Sequence, residues 1–171
     1  ENDNLFNTTL LLDPKGKIIA KYRKIHLFGF QSQEDSILKR GEEITVANTP
    51  WGKAGLSTCY DLRFPELYRK MVDKGAKFFL VASAWPHMRL DAWILFNRVR
   101  AHENLACLFS CNCAGTNNGK KYAGNSLFVD AMGKIIAQAT EEENVLSAEL
   151  DLTQVDTVRK NFSALDDRIF K

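Results

Sequence analysis

The sequence predicts an α/β fold in which neighbouring strands run parallel and are connected by helices. Two continuously apolar runs, residues 78–84 and 105–114, are typical of strands that are buried on both faces. A helix between Pro65 and Gly75 precedes the first run, because proline suits a first helical turn and glycine a helix end. A helical pattern over residues 91–104 precedes the second run. This alternation favours parallel strands with crossover helices.

The elements before this alternation are predicted to be strands joined by tight turns. Residues 8–12 and 17–22 flank a proline-glycine turn at residues 13–16, which predicts a β-hairpin. Residues 44–47 are predicted to form a further short strand. The next strand ends at Cys59 and therefore leads directly into the first predicted helix.

After the second helix, the pattern returns to short strands. The loop at residues 115–124 is polar and rich in glycine. Three strands are predicted to follow it, at residues 126–129, 134–137 and 145–150. The first two of these flank a turn at residues 130–133. Thr153 and Asp156 resemble a capping box, which predicts a last helix.

The composition indicates an ordinary globular domain. A chain of 171 residues is long enough for a single domain with its own core, which we expect over residues 1–171. The net charge of +2 argues against nucleic acid or a membrane surface as a partner, and no apolar run is long enough to span a bilayer. The first residues are acidic and polar, unlike a signal peptide. Four cysteines without a disulfide pattern indicate a reducing, cytoplasmic location.

Three of the cysteines lie together, at Cys107, Cys111 and Cys113. We interpret them as small buried side chains of a strand, because free cysteine packs in this way. A metal site on Cys111 and Cys113 is the alternative. It is disfavoured because no histidine pair or second cysteine pair completes a zinc ligand set.

Cys59 is the first candidate for chemistry. It ends an apolar strand and stands just before a helix that begins near Pro65. A helix N-terminus favours the thiolate form of a cysteine, so this position suits a nucleophile. From position alone, a buried, inert cysteine at a strand end is the favoured interpretation, because buried cysteine is common, and both interpretations stay open at this point.

A basic run at residues 21–24 is the second candidate. Such a run is usually a solvated face, with its stems packed on the surface. This run, however, leaves a strand and is followed by the apolar residues Ile25, Leu27 and Phe28. One of its lysines could therefore be carried inward, where an ammonium group can stabilise a developing oxyanion.

Four segments in order along the chain resemble the nitrilase, or carbon–nitrogen hydrolase, superfamily. They are residues 22–28, 59–66, 93–104 and 124–133. The resemblance covers nearly the whole chain. It implies a four-layer α-β-β-α sandwich of the nitrilase type, which usually forms a homodimer through its helices. It also implies hydrolysis of a small-molecule amide without a metal or organic cofactor.

The resemblance implies a catalytic set of glutamate, lysine and cysteine. It identifies Cys59 as the nucleophile and Lys24 as the lysine. A second glutamate, which orients the lysine and the substrate, falls on Glu34; a solvated loop acid is the alternative interpretation, and Asp35 is adjacent. The backbone N–H of Tyr60 would bind the oxyanion together with the lysine.

The general-base glutamate of the family lies on an early strand, well before the lysine motif. The only glutamate that precedes Lys24 is Glu1, which lacks an apolar strand around it. We therefore expect the chain to match the C-terminal two-thirds of the domain, without its first strands and helices. An exposed core and poor solubility of the chain alone are expected, unless further sequence supplies those strands.

The motif at residues 59–66 resembles omega-amidases, which act on carboxylate-bearing amides such as 2-oxoglutaramate. Arg63 and Arg89 are candidates to bind that carboxylate, although an ion pair with Glu66 is the favoured interpretation of Arg63. Trp85 could form a wall of the substrate pocket or pack in the core. Hydrolysis of an N-carbamoyl amide on the same fold is an alternative activity. The missing base leaves a non-catalytic binding or assembly role as a further alternative.

Overall fold

The computed structural model describes residues 3–170, so Glu1 lies outside the described residues. The strands are β1 Thr8–Leu12, β2 Ile18–Arg23, β3 Val46–Thr49, β4 Gly52–Thr58, β5 Phe78–Ser83, β6 Cys107–Asn112, β7 Thr116–Asn117, β8 Lys120–Lys121, β9 Leu127–Val129 and β10 Ile135–Gln138. The α-helices are α1 Glu34–Ile37, α2 Pro65–Asp73, α3 Leu90–Asn104 and α4 Gln154–Asn161. Two 3-10 turns cover Cys59–Arg63 and His87–Arg89.

A six-stranded mixed sheet forms the centre of the fold, in the order β10-β9-β6-β5-β4-β3. Strands β4, β5 and β6 run parallel, and helices α2 and α3 make the two crossovers, which confirms the predicted α/β alternation. Strands β3 and β9 pair antiparallel to the outer members of this parallel unit. The hairpin predicted at the N-terminus is also confirmed, because β1 and β2 pair as a separate two-stranded sheet.

Helices α2 and α3 cover one face of the large sheet. Leu67 and Met71 of α2 and Trp93 of α3 are buried against Phe79 and Leu108 of the sheet. Helix α2 begins at a proline and is followed by a glycine with a φ of +89°, as its sequence pattern predicts. Within residues 3–170, no helix is both long and apolar enough to cross a membrane.

The opposite face of the sheet is only partly covered. The β1–β2 hairpin lies against β4, and α4 covers the other end of the face through Val155, which packs with Phe78. Between them lies an apolar strip that we call the open face, which consists of Leu56, Leu80, Ala82, Phe109, Cys111 and Phe128. Leu80, Phe109 and Phe128 are half-buried, whereas Ala82 and Cys111 are exposed.

In the C-terminal region, the predicted strand is wrong, whereas the predicted last helix is confirmed without its predicted cap bond. Residues 145–150 form no strand in the described chain; Val145 is 93% exposed, and the segment pairs with none of the described strands. Thr153 does precede α4, but its hydroxyl donates to Asp151 at 2.6 Å and makes no cap bond. The predicted loop at residues 115–124 contains the small β7–β8 hairpin.

The burial predicted for the clustered cysteines holds only in part. Cys107 is buried, but Cys111 and Cys113 are exposed. Successive side chains of a strand point to opposite faces of the sheet, and Cys111 points to the open face rather than to the helices. In the part of the chain that the structure describes, no group of three or more His, Cys, Asp or Glu side chains is arranged to hold a metal ion.

Candidate active site

A cavity of about 460 Å³ lies where β4 and β5 end, beside the β1–β2 hairpin. The carboxyl ends of parallel strands are the usual place for a site in an open α/β sheet. The cavity brings together all the site residues predicted from the sequence, namely Lys24, Glu34, Cys59, Tyr60, Arg63, Trp85 and Arg89. Its remaining lining comes mainly from β1 and from the end of β5.

Cys59 stands at a sharp turn between β4 and a 3-10 helix. Strand β4 ends at Thr58, and Cys59 then takes a φ of +50°, a left-handed conformation that is unfavourable for residues other than glycine. The thiol is half-buried, and Tyr60 next to it also lines the cavity. Strain of this kind persists only where the surroundings enforce it, and it clusters at functional sites.

Lys24 and Glu34 form a tight ion pair at the cavity. The ammonium group lies 2.6 and 2.8 Å from the two carboxylate oxygens, and the Lys24 side chain is only 3% exposed. Glu34 also accepts hydrogen bonds from the backbone N–H of Phe28 at 2.8 Å and from the Asn7 amide at 2.9 Å. These contacts belong to Glu34 and not to the exposed Asp35. They do not match a solvated loop acid.

The surroundings of Glu34 change the pKa of its carboxyl group. Burial alone would raise this pKa, because it penalises the charged form. The hydrogen bonds from Lys24, Phe28 and Asn7 outweigh burial, so the pKa lies below its ordinary value. Glu34 is therefore a carboxylate at neutral pH, which suits a partner of an ammonium group.

Lys24 is carried inward by the alternation of β2 and by its backbone contacts. Tyr22 and Lys24 are two residues apart, so both point to the interior, while Lys21 is exposed. The Lys24 N–H donates to the Asn7 carbonyl, and the Lys24 carbonyl accepts from the Gly41 N–H, each at 2.8 Å. The interpretation of the whole basic run as a solvated face is therefore wrong for Lys24.

A buried carboxylate in the 3-10 turn that begins at Cys59 was not predicted from the sequence. Asp61 accepts hydrogen bonds from the Tyr22 hydroxyl at 2.6 Å and from the Thr58 N–H at 2.9 Å. Its other oxygen accepts from the His26 N–H at 3.1 Å. Asn7 was missed as well. Asp61, Tyr22 and His26 lie inside two of the four segments that carry the resemblance, which was the available signal, whereas nothing local marks Asn7.

Arg63 does not form the ion pair that the sequence favoured. Among the described residues, no salt bridge joins Arg63 to Glu66, which is exposed to solvent. The guanidinium instead lies 5.3 Å from the centre of the Trp85 ring and 5.1 Å from that of Phe96. Trp85 is 2% exposed and lines the cavity, so it is both a core residue and a wall of the pocket.

Arg89 lines the cavity and lies against two aromatic rings. Its guanidinium lies 5.4 Å from the ring centre of Phe28 and 5.7 Å from that of Phe30. The Arg89 carbonyl accepts a hydrogen bond from the Trp85 indole at 2.9 Å. In the described chain, neither Arg63 nor Arg89 has a carboxylate within ion-pair distance. The cavity therefore holds two cations whose charges are not neutralised by a neighbouring side chain.

Comparison with known protein families identifies the class of this fold and site. The family model described as carbon-nitrogen hydrolase matches residues 1–160. The chain therefore belongs to the carbon–nitrogen hydrolase family, and its α/β fold is that of the nitrilase superfamily.

Individual relatives agree with this membership. The chain is 40% identical to a 2-oxoglutaramate amidase of Paenarthrobacter nicotinovorans, over 96% of this chain and 58% of the relative. It is similar to the crystal structure of Saccharomyces cerevisiae Nit3, a member of branch 10 of the nitrilase superfamily. The TM-score is 0.90 at 35% identity, over 99% of this chain and 62% of that one. The chain thus spans about six-tenths of the length of these relatives.

A third similar structure contains a modified cysteine. It is an amidase mutant from Nesterenkonia sp. AN1 in which the acetamide moiety of fluoroacetamide is covalently added at the active-site cysteine. The TM-score is 0.84 at 27% identity, over 95% of this chain and 58% of that one.

Proposed function

We propose that the protein is a cysteine-dependent amidase, which hydrolyses the C–N bond of a small amide to give an acid and ammonia. The observation that carries this proposal is one cavity that holds a strained, half-buried Cys59 together with the buried Lys24–Glu34 ion pair. In this proposal, residues 1–171 are the C-terminal two-thirds of a single hydrolase domain. A homodimer and a cytoplasmic location complete the proposal.

The proposed reaction proceeds through a thioester. The Cys59 sulfur gives its proton to a carboxylate base and attacks the amide carbonyl carbon, and the carbonyl electron pair moves to oxygen. The Lys24 ammonium and the Tyr60 N–H stabilise this oxyanion. The C–N bond then breaks, and the nitrogen takes the proton from the base and leaves as ammonia. Water adds to the thioester, the C–S bond breaks, and the acid and the free thiol are formed.

The base in this reaction needs a carboxylate that is free to exchange a proton. Glu34 is the only carboxylate among the described residues that line the cavity, and Lys24 already binds both of its oxygens. Its proposed role is therefore to orient the lysine. The resemblance assigns the base to a glutamate on a strand before the lysine motif, and we propose that such a residue completes the site.

A carboxylate-bearing amide of the omega-amidase type, such as 2-oxoglutaramate, is the proposed substrate. This is supported by the two guanidinium groups of the cavity, Arg63 and Arg89, because a guanidinium binds a carboxylate through two parallel hydrogen bonds. The names of the relatives at 40% and 37% identity, both 2-oxoglutaramate amidases, support the same substrate class.

Ammonia release tests this proposal directly. We expect the protein to release ammonia from a carboxylate-bearing amide faster than from a neutral amide of equal length. Cys59→Ala should abolish the reaction, by about 1000-fold or more, because the nucleophile is lost. The exposed Cys113 offers a matched control, since Cys113→Ala removes a thiol outside the cavity and should leave the rate unchanged.

The other candidate functions give different results in the same assay. Carbon dioxide released together with ammonia would point to an N-carbamoyl amide as the substrate. A rate that is the same in Cys59→Ala would contradict cysteine catalysis. If, in addition, iodoacetamide failed to label Cys59 faster than Cys113, the non-catalytic binding role would be favoured.

A further inference from the structure

Asp61 is a fully buried carboxylate where two segments of the site meet. It lies two residues after Cys59, inside the same 3-10 turn. Its partners Tyr22 and His26 stand two residues before and two residues after Lys24. The carboxylate therefore binds both sides of the lysine segment and belongs to the turn that carries the cysteine.

Both oxygens of Asp61 are fully used. One accepts the Tyr22 hydroxyl at 2.6 Å and the Thr58 N–H at 2.9 Å. The other accepts the His26 N–H at 3.1 Å and lies 2.8 Å from His26 Nδ1. The Tyr22 oxygen in turn accepts the Ile25 N–H at 3.2 Å. A buried carboxylate is tolerated only with such complete hydrogen bonding, so its partners are held in one arrangement.

The need for such a contact follows from the sheet topology. Strand β2, which leads to Lys24, pairs with β1 in a two-stranded sheet, whereas Cys59 follows β4 of the large sheet. No ladder of backbone hydrogen bonds joins these two sheets in the described chain. Their relative position therefore depends on side chains. Next to the site, these side-chain links include the 2.9 Å contact between the Thr9 and Thr58 hydroxyls and the ring contacts of Phe28 with Tyr60 and of His26 with Phe64. The hydrogen bonds of Asp61 add a charged, fully buried link between the same two segments.

We call Asp61, Tyr22 and His26 the positioning cluster. We propose that the positioning cluster fixes the position of the Lys24 ammonium group relative to the Cys59 sulfur. This inference rests on the proposed roles of Lys24 and Cys59 in amide hydrolysis. The cluster does not contact the substrate; it acts through the two residues that do. Burial, and to a lesser extent the charge of Asp61, raises the pKa of Tyr22, so its hydroxyl keeps the proton that it donates to Asp61 at neutral pH.

The rate at which iodoacetamide alkylates Cys59 reports how well the Lys24 ammonium group is positioned beside the sulfur, and it can be measured without substrate turnover. The sulfur displaces iodide, and peptide mass spectrometry gives the rate at each cysteine, with the exposed Cys113 as the internal reference. Tyr22→Phe removes one hydroxyl from the cluster and should slow alkylation of Cys59 by on the order of tenfold, the loss expected when a positioned group is displaced. The rate at Cys113 should not change.

A second buried tyrosine provides the matched control. Tyr68 is also fully buried, and its hydroxyl lies 2.7 Å from Ser57 Oγ, on the helix side of β4. Tyr68→Phe therefore removes a comparable hydrogen bond without touching the lysine segment, and the rate at Cys59 should stay within about twofold of the wild type. If Tyr22→Phe fails to fold, His26→Phe replaces it, because it keeps the ring stacked 3.7 Å from Phe64 and loses only the Nδ1 contact.

Coupling to Lys24 separates a positioning role from a purely structural one. Lys24→Met should itself slow alkylation of Cys59, since a nearby ammonium group favours the thiolate. In the Lys24→Met background, Tyr22→Phe should then add no further loss, because the group that it positions is gone.

Each other outcome has a definite meaning. Equal losses from Tyr22→Phe with and without Lys24 would overturn the inference, as would an unchanged rate in Tyr22→Phe and His26→Phe. In both cases the proposed function would survive, provided that Lys24→Met slows the alkylation of Cys59. If Lys24→Met leaves the alkylation rate of Cys59 unchanged, the proposed role of the lysine is contradicted. The inference about the positioning cluster, which rests on that role, then fails as well.

Discussion

Glu34 neutralises the positive charge of the buried Lys24. Lys24 is almost fully buried, and an ammonium group in that position is costly unless a carboxylate is within hydrogen-bond distance. Removing one partner of a buried pair leaves the other uncompensated, which costs more than the pair contributes. The side chain of Glu34 is 15% exposed, so part of this cost is relieved by water.

We predict that Glu34→Gln lowers the free energy of unfolding by about 3 kcal/mol at neutral pH. The pKa of Glu34 is lowered in the folded protein, so its stabilising effect is fully present above the unfolded value and lost as the pH falls through the folded value. The difference in the free energy of unfolding between wild type and Glu34→Gln should therefore become smaller at acidic pH. Urea unfolding at neutral pH and at a pH below the ordinary glutamate value measures both differences.

A surface glutamate serves as the control for this pH dependence. Glu66 is exposed, and it forms no ion pair with the other described residues. Glu66→Gln should change the free energy of unfolding by less than about 0.5 kcal/mol at either pH. If Glu34→Gln lowers the free energy of unfolding equally at both pH values, the destabilisation does not arise from the charge of the carboxylate.

At the scale of elements, the end of β2 depends on a close backbone approach. Gly41 donates its N–H to the Lys24 carbonyl at 2.8 Å. A Cβ atom at Gly41 would collide with the carbonyl oxygen of Arg23, the residue before Lys24. Backbone atoms cannot yield as a flexible side chain can, so any side chain at position 41 must displace the strand end that carries the lysine.

We predict that Gly41→Ala destabilises the protein by about 1–3 kcal/mol and slows alkylation of Cys59. Gly16→Ala in the β1–β2 turn is the control: its φ of +79° makes alanine unfavourable by about 1 kcal/mol, but nothing surrounds it. Thermal unfolding should show that both variants are destabilised, whereas labelling of Cys59 should be slower only in Gly41→Ala. Equal labelling rates would contradict the link between this loop and the lysine.

The elements that could be predicted from the sequence are those with local causes. Pro65 and the apolar run at residues 78–84 carry their own signals, and α2 and β5 appear where those signals stand. Residues 145–150 have strand-like composition, but a strand also needs a neighbour, which a local pattern does not reveal. Asn7 and Asp61 matter through partners 27 to 39 residues away, so their contacts required the fold.

At the scale of the whole molecule, the open face is an unusual surface. Strand faces in an α/β protein are normally covered on both sides. Here Phe109 and Phe128 pack edge to face at 5.4 Å but remain half-buried, and Leu80 beside them is also half-buried. A contiguous apolar surface of this kind favours association with another apolar surface.

We predict that the chain of residues 1–171 self-associates through the open face, and that Cys111→Lys reduces this association. Cys111 is exposed on that face, so a lysine there adds charge without disturbing the core. Cys113→Lys is matched, because it also replaces an exposed thiol by lysine but lies outside the lining of the open face. Sedimentation velocity in a reducing buffer should show a lower average mass for Cys111→Lys only. Equal masses for the two variants, or a wild-type chain that is monomeric at high concentration, would show that this face does not drive association.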